Sequence, residues 1–494
     1  MTLHSRALAA LPAAVLLLAA SAAAARDSLR LGVVLEPPHL DPTAGAAAAI
    51  DEVVYANVFE GLTRIDAEGR VQPALARRWT ISDDGLTYSF QLATGVTFHD
   101  GTSFDSADVK FSLDRARAED STNAQKGLFE PIAEVATPDA SRVVVTLKRP
   151  TGLFLWNLGW GDAVIVAPES AAENKTRPIG TGPFAFKAWK PGDQIELEQS
   201  KGYWGEPVAL RSVVFKIVPD PAGATAAMLA GDLDAYPNFP APEALGQFRA
   251  DPRFAVVVGT TEGETILAIN NARLPLDDLR VRRALAHAID RQAIIDGAMD
   301  GYGTPIGSHF APHAPGYVDL TARTSYDPER AKALLAEAGV APGTRLTLKL
   351  PPPSYARRGG EVIAAQLAAV GIEAQLVPVE WAQWLEQVFT NKDYDLTIVS
   401  HTEPFDIGIY ARDDYYFNYR SDAFKALMAE LDATSDEAAR LSLLERAQTM
   451  LADDQPNVFL FELAKVGVWD ARIEGLWANA PIQANDLTGV RWRE

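Results

Sequence analysis

A chain of 494 residues, 48% of them hydrophobic, carries more apolar material than one ordinary domain buries, so two or more domains are expected. Its 65 acidic against 45 basic residues leave a formal net charge of −20, which argues against the broad basic surface that nucleic-acid binding needs. With no cysteine there is neither a disulfide framework nor a lipid-bearing lipoprotein cysteine, and the fold has to rest on its own core.

In chain order, the first 25 residues have the shape of an export signal. His4 and Arg6 precede an apolar run from Ala7 to Ala20, and Ala23, Ala24 and Ala25 supply small residues for cleavage after Ala25. The run is short for a bilayer span and Pro12 interrupts it. The mature protein is expected to be soluble, most simply in a periplasm.

Leu29 to Leu35 reads as a strand ended by Pro37 and Pro38, and Ile50 to Phe59 as a helix ended near Gly61. Trp79 to Leu92 reads as a hairpin turning at Asp84-Gly85. Asp105 to Arg117 is helical, with Val109, Leu113 and Ala116 on one face, and Arg142 to Leu147 alternates as a strand should. Phe184 to Trp189 and Gln194 to Gln199 look like paired strands around Pro191-Gly192, followed by the strand Val213 to Val218 and a helix opening at Pro221.

From about residue 265 the texture changes. Strands at Ile266 to Ile269, Leu346 to Leu350, Glu373 to Val379 and Tyr394 to Val399 alternate with helices at Asp277 to Asp290, Asp327 to Ala338, Gly360 to Val370 and Trp381 to Phe389. That alternation predicts an α/β domain. Helices dominate Ser421 to Ala452, and the tail from Gly475 is mostly irregular.

Catalytic and metal signatures do not stand out. There is no HExxH, and His309 and His313 stand four apart across Pro312, which argues against one helical face holding a metal. No GxSxG elbow occurs. Gly180-Thr181-Gly182 lacks the remainder of either phosphate-binding glycine motif, and Pro183 removes a backbone donor where a phosphate nest would need it. The segment reads as a glycine-framed scaffold corner feeding the strand from Phe184. No metal, cofactor or catalytic residue is expected.

Four blocks in order carry a resemblance. They are Asn57 to Leu62 with Val71 to Ala76 and Trp79; "SDDGLTYSFQLATGVTFHDGTSFDSADVKFSLDRA" at 82–116; Gly180 to Phe184 with Gly202-Tyr203-Trp204; and Asp278, Arg280, Arg282 through Ala288-Ile289-Asp290-Arg291. Over almost the whole mature chain the sequence resembles the extracytoplasmic solute-binding proteins of ABC transporters, family 5, which include oligopeptide-, dipeptide- and nickel-binding members.

The resemblance implies an α/β, two-lobed periplasmic binding protein fold of class II type, with an extra N-terminal subdomain and a hinge between the lobes. Lobe I would comprise 26–264 plus 476–494, with the subdomain at about 62–179, and lobe II 265–475. It implies a receptor, not an enzyme. Such a receptor captures a small polar solute, peptide-like or another small organic molecule, between its lobes and delivers it to an inner-membrane ABC permease. A monomer is the default for a protein that must hinge and dock. The alternatives are a periplasmic peptide-capture or chaperone-like protein and a nickel-chelate receptor.

The candidate ligand residues concentrate in 393–419, where polar and aromatic residues follow the strand Tyr394 to Val399, at the end where ligands of α/β sheets sit. Peptide-binding relatives have a tryptophan-glycine-aspartate type segment there; this chain has Ser400 to Asp406 instead, which puts an ordinary peptide ligand in question. Glu403 or Asp406 suits a cationic amine, and His401 suits a hydrogen bond. Arg412 suits a carboxylate. Tyr415, Tyr416 and Phe417 suit either a stacking pocket or core packing, as do Trp381 and Trp384. His39, in the Leu40-Asp41-Pro42 corner, is a further candidate. The aromatic turn from Phe154 through Trp156 to Trp160 has no assignable position relative to the cleft.

Overall fold

The computed structural model describes residues 26–45 and 47–493. The expected export signal therefore lies outside the described residues. No helix among the described residues is long and apolar enough to cross a membrane.

Local preference explains most elements. Asp105 and Asp108 form a reciprocal capping box that starts the helix Ser106–Arg117. The helix Pro328–Glu337 opens with proline and stops as Gly339 takes a positive φ of 74°. Thr87–Leu92 buries every second side chain and pairs antiparallel with Ala76–Ile81 and Arg142–Leu147; Ile132–Asp139 completes this four-stranded sheet. The helix Ser106–Arg117 packs on it over Phe90, Val109, Leu113 and Val145, a core of its own.

One mixed sheet of eleven strands runs through the rest. From one edge the order is Ile372–Pro378, Thr344–Leu350, Leu396–His401, Phe254–Ile269, Val458–Asp470, Ala235–Tyr236, Ser28–Val33, Ser212–Ile217, Gln194–Gln199 and Phe184–Lys190, with Thr304–Pro305 also paired to Val458–Asp470. At one end alternate residues divide between two cores: Leu267 and Ile269 face Leu285, Ile294 and Ile363, while Ile266 and Ala268 face Trp384, Val399 and Tyr416. This part of the sheet is covered on both faces. At the other end Leu31, Val54, Phe59, Phe184 and Phe215 form a core that also takes in Leu487 and Val490 from the C-terminal tail.

The two long central strands join these halves. Phe254 to Thr260 pairs with Ala464 to Asp470, and Glu264 to Leu267 pairs with Val458 to Glu462; the register shifts between Thr260 and Glu264. Thr261 Oγ1 fills the irregularity, donating to Leu463 O at 2.9 Å and accepting from Gly263 N at 3.0 Å. Only the last four residues of the first strand read as a strand in the sequence, because Gly259, Glu262, Gly263 and Glu264 interrupt the apolar pattern at this crossover. The expected helix Trp381 to Phe389 is α-helical only over Trp381–Trp384 and continues to Thr390 in a wider winding, and Ile50 to Phe59 is helical only within Ala48–Val54.

The corner reading of Gly180-Thr181-Gly182 agrees with its contacts. Gly182 N donates to Val58 O at 3.0 Å and Phe184 N to Asn57 O at 2.9 Å. A Cβ on Gly180 would run into Val58 O, and one on Gly182 into Asn57 O, so the close approach requires glycine at both places. Glu60 accepts from Thr181 Oγ1, Tyr203 OH and Trp204 Nε1, each at 2.8 Å. Asn57 donates to Asn485 O at 2.8 Å, and its Oδ1 accepts from Leu487 N at 3.1 Å, which ties in the tail. The blocks around 57–62, 180–184 and 202–204 thus interlock with one another.

Candidate functional site

Two neighbouring cavities open between the halves. The first, about 280 Å³, is bordered by Gln125, Trp156, Asn157 and Trp160 on one side and by Glu262, Thr402, Glu403 and Pro404 on the other, with Ile482 and Gln483 from the tail. The second, about 300 Å³, is bordered by Arg70, Trp79 and Leu155 and, across from them, by Pro315, Phe405, Glu437 and Arg440. Trp156 and Leu153 border both. Trp156 meets Phe405 edge-on, ring centroids 5.1 Å apart. Phe405 holds a left-handed backbone with φ 56°, a costly conformation for a bulky residue.

The two cavities differ in charge. The first is bordered by the carboxylates Glu262 and Glu403 and by no cationic residue. Burial pushes the Glu262 carboxyl up, against the contrary pull of His313, whose Nε2 lies 2.7 Å from Glu262 Oε1. The second carries two guanidinium groups, Arg70 and the half-buried Arg440. The tail segment that borders the first cavity is fastened to the crossover: Lys465 Nζ donates to Trp477 O at 2.8 Å, and Thr260 N to Asn479 Oδ1 at 3.1 Å. Burial lowers the Lys465 ammonium to about 8.

Of the residues singled out from sequence, Glu403 is exposed and borders the first cavity. The buried His401 and the half-buried Asp406 stand behind that wall, bonded to each other: His401 Nδ1 lies 3.2 Å from Asp406 Oδ2, and His309 Nε2 lies 2.7 Å from Asp406 Oδ1. Burial opposes ionisation of Asp406, but the two imidazoles prevail and hold it well below the ordinary aspartate range. Tyr416 and Phe417 are 1% exposed and belong to the core with Trp384, whose Nε1 donates to Thr397 Oγ1 at 3.0 Å; for these three the packing alternative describes the surroundings. Tyr415 is half-buried beside them, and the exposed Arg412 lies over its ring at 5.7 Å. His39 accepts from Asp41 N at 3.3 Å within a folded corner where Asp41 caps the turn Pro42–Ala44.

In the block from Asp278 to Arg291, Arg282 is buried and donates to Gln455 O, Leu276 O, Asp277 O and Asp454 O, clamping the end of the helix Glu437–Asp454. Trp156, Trp160, Glu262, Arg70 and Arg440 border the cavities without having been assigned to them from sequence. Their one signal was the aromatic turn around Trp156, whose position depends on packing across the crevice.

A two-lobed sheet crossed by two long strands, with a lined crevice at the crossing, defines a solute receptor of the periplasmic binding protein fold. The model of "Bacterial extracellular solute-binding proteins, family 5 Middle" matches residues 70–423, and the chain belongs to this family. It is 30% identical over 437 residues to the dipeptide-binding protein of Escherichia coli K12, covering 79% of this chain and 80% of that one. It is 28% identical over 502 residues to the glutathione-binding protein GsiB of Shigella dysenteriae, covering 96% of each. The solved structure of HbpA2 from Haemophilus parasuis superposes with a TM-score of 0.87 at 25% identity, covering 94% of this chain and all of that one. The chain is thus an extracytoplasmic receptor that captures a solute for import by an ABC transporter.

Proposed function

We propose that the solute is a small zwitterionic, peptide-like molecule held across Trp156, its amine toward Glu262 and Glu403 and its carboxylate toward Arg70 and Arg440. The observation that carries this is the contrast between a cavity bordered by two carboxylates and no cation and an adjoining one that presents the guanidinium groups of Arg440 and of Arg70, the latter paired with Asp66 and Glu68, beside a single carboxylate, Glu437. Each volume lies at the small end of the roughly 300–1,000 Å³ common for ligand pockets. That suits a short peptide better than the long segments a chaperone-like capture protein would need. The dipeptide- and glutathione-binding relatives support the same class. The departure at 400–406 from the segment of peptide binders then has a counterpart: the amine-facing carboxylates are Glu403 and Glu262, and Asp406 is committed elsewhere.

In this reading the receptor works as a monomer in the periplasm after cleavage near Ala25, turns nothing over, and presents its closed form to a permease. The lobes divide at 26–264 plus 476–494 and 265–475; the register shift at Thr260/Glu264 supports the boundary near 264. The test is native mass spectrometry of the freshly purified mature protein, followed by calorimetric titration with a dipeptide, its N-acetylated form, its C-terminal amide, glutathione and a nickel–histidine chelate. The expected result is a peptide-sized adduct and binding of a zwitterion that either blocked form loses. Equal binding of both blocked forms, or preference for the chelate, overturns it.

A further inference from the structure

Behind the wall formed by 402–404 lies a group of side chains that the ligand reading does not use. His309, His401 and Asp406 present three ligand atoms that all lie within 4.8 Å of one another. They come from separate places: the loop after Thr304–Pro305, the end of the strand Leu396–His401, and the start of the turn Asp406–Ala411. Each imidazole turns its second nitrogen to a tyrosine hydroxyl, His309 Nδ1 at 3.4 Å from Tyr410 and His401 Nε2 at 3.1 Å from Tyr416. Partners of this kind fix the orientation of an imidazole and aim its other nitrogen, here inward at Asp406, where an ion between them would meet all three side chains.

Two further carboxylates are built into the same sheet row. Glu264 is the pairing partner of His401 on one side and of Glu462 on the other, so the three side chains leave the same face of the sheet. Glu264 Oε2 and Glu462 Oε2 are buried and accept no hydrogen bond, and the residues are 3% and 0% exposed. Buried acceptors without partners cost about 1–3 kcal/mol each, more for charged groups.

We propose that His309, His401 and Asp406 hold one divalent first-row transition-metal ion, with Glu264 as a further oxygen donor. Mixed imidazole and carboxylate donors suit zinc, nickel or cobalt, whereas calcium and magnesium take oxygen ligands. Donors bound at about 2.0–2.2 Å to one ion stand no more than about 4.4 Å apart, so the present spacing requires only small side-chain rotations. The site is distinct from the solute cavities and stands whether or not the solute is a peptide.

The test uses the full mature chain, stripped with a chelator, titrated with Co²⁺ alone and desalted. The expected result is one retained Co²⁺ per chain, visible ligand-field bands, and two hyperfine-shifted imidazole N–H resonances. Asp406→Asn and His401→Asn each weaken uptake by roughly tenfold or more, whereas His287→Asn, half-buried and outside the group, does not. Uptake below one ion per chain, uptake unchanged in folded Asp406→Asn and His401→Asn, or a Co²⁺ spectrum with fewer than two imidazoles overturns the assignment. The last reading needs no variant to fold.

Discussion

Glu60 and Asp406 are both carboxylates withdrawn from water, yet their surroundings compensate them in opposite ways. Three neutral donors, Thr181, Tyr203 and Trp204, surround Glu60, and burial still pushes its carboxyl up to about 7. Two imidazoles flank Asp406, and its carboxyl is held down despite burial. Neutral donors satisfy lone pairs without cancelling charge, so desolvation prevails at Glu60; ionisable partners supply the charge, so the anion persists at Asp406. The first arrangement makes a rigid corner. The second leaves a charged group whose neighbours Glu264 and Glu462 each keep one buried oxygen without a partner, which suits a site that receives something.

The largest effect should come from breaking the corner itself. Gly180→Val drives a branched side chain into Val58 O, and a loss of about 3 kcal/mol or more is expected in denaturant unfolding. Glu60→Ala is next: it strands one buried donor, Thr181, and two half-buried ones, Tyr203 and Trp204, and should cost about 2 kcal/mol by the same measurement.

The pH dependence of stability separates the two acids. The folded carboxyl of Glu60 titrates near 7 against an ordinary value of 4.5, so its folded state binds the extra proton. Its contribution is present below about 4.5 and is lost as pH rises to about 7. Asp406 is shifted down, so its contribution is present above the ordinary value of 3.8 and is lost as pH falls below it. Glu60→Gln should flatten the stability profile between about 4.5 and 7, and Asp406→Asn should flatten only the acid limb. Both are read as midpoint shifts against the unsubstituted protein, and an identical change in the two variants would erase the contrast.

Glu403→Gln tests the solute side. It should weaken binding of a zwitterionic dipeptide roughly tenfold, about 1.4 kcal/mol, with unfolding unchanged because the residue is exposed. The smallest effect is expected for Arg412→Ala, which removes only an exposed contact over Tyr415 and should change stability by less than about 1 kcal/mol and leave solute affinity unaltered.

How much of this was legible in the sequence depends on the range of the interaction. Periodicity, caps and turn residues determined the strands Arg142–Leu147 and Gln194–Gln199 and the helix Ser106–Arg117, because those signals act within a few residues. The glycines of 180–182 and the absence of a phosphate motif were also local facts. Part of the family resemblance rested on blocks that interlock around Glu60, where close approach demands glycine at 180 and 182. Only the tertiary structure decided that Asp406 faces His309 and His401 while Glu403 borders the crevice, and that Trp156 reaches Phe405. These arrangements depend on strand register at the crossover and on packing between distant segments, 97 residues apart for His309 and Asp406 and farther for Trp156 and Phe405. Local spacing carries no information at that distance.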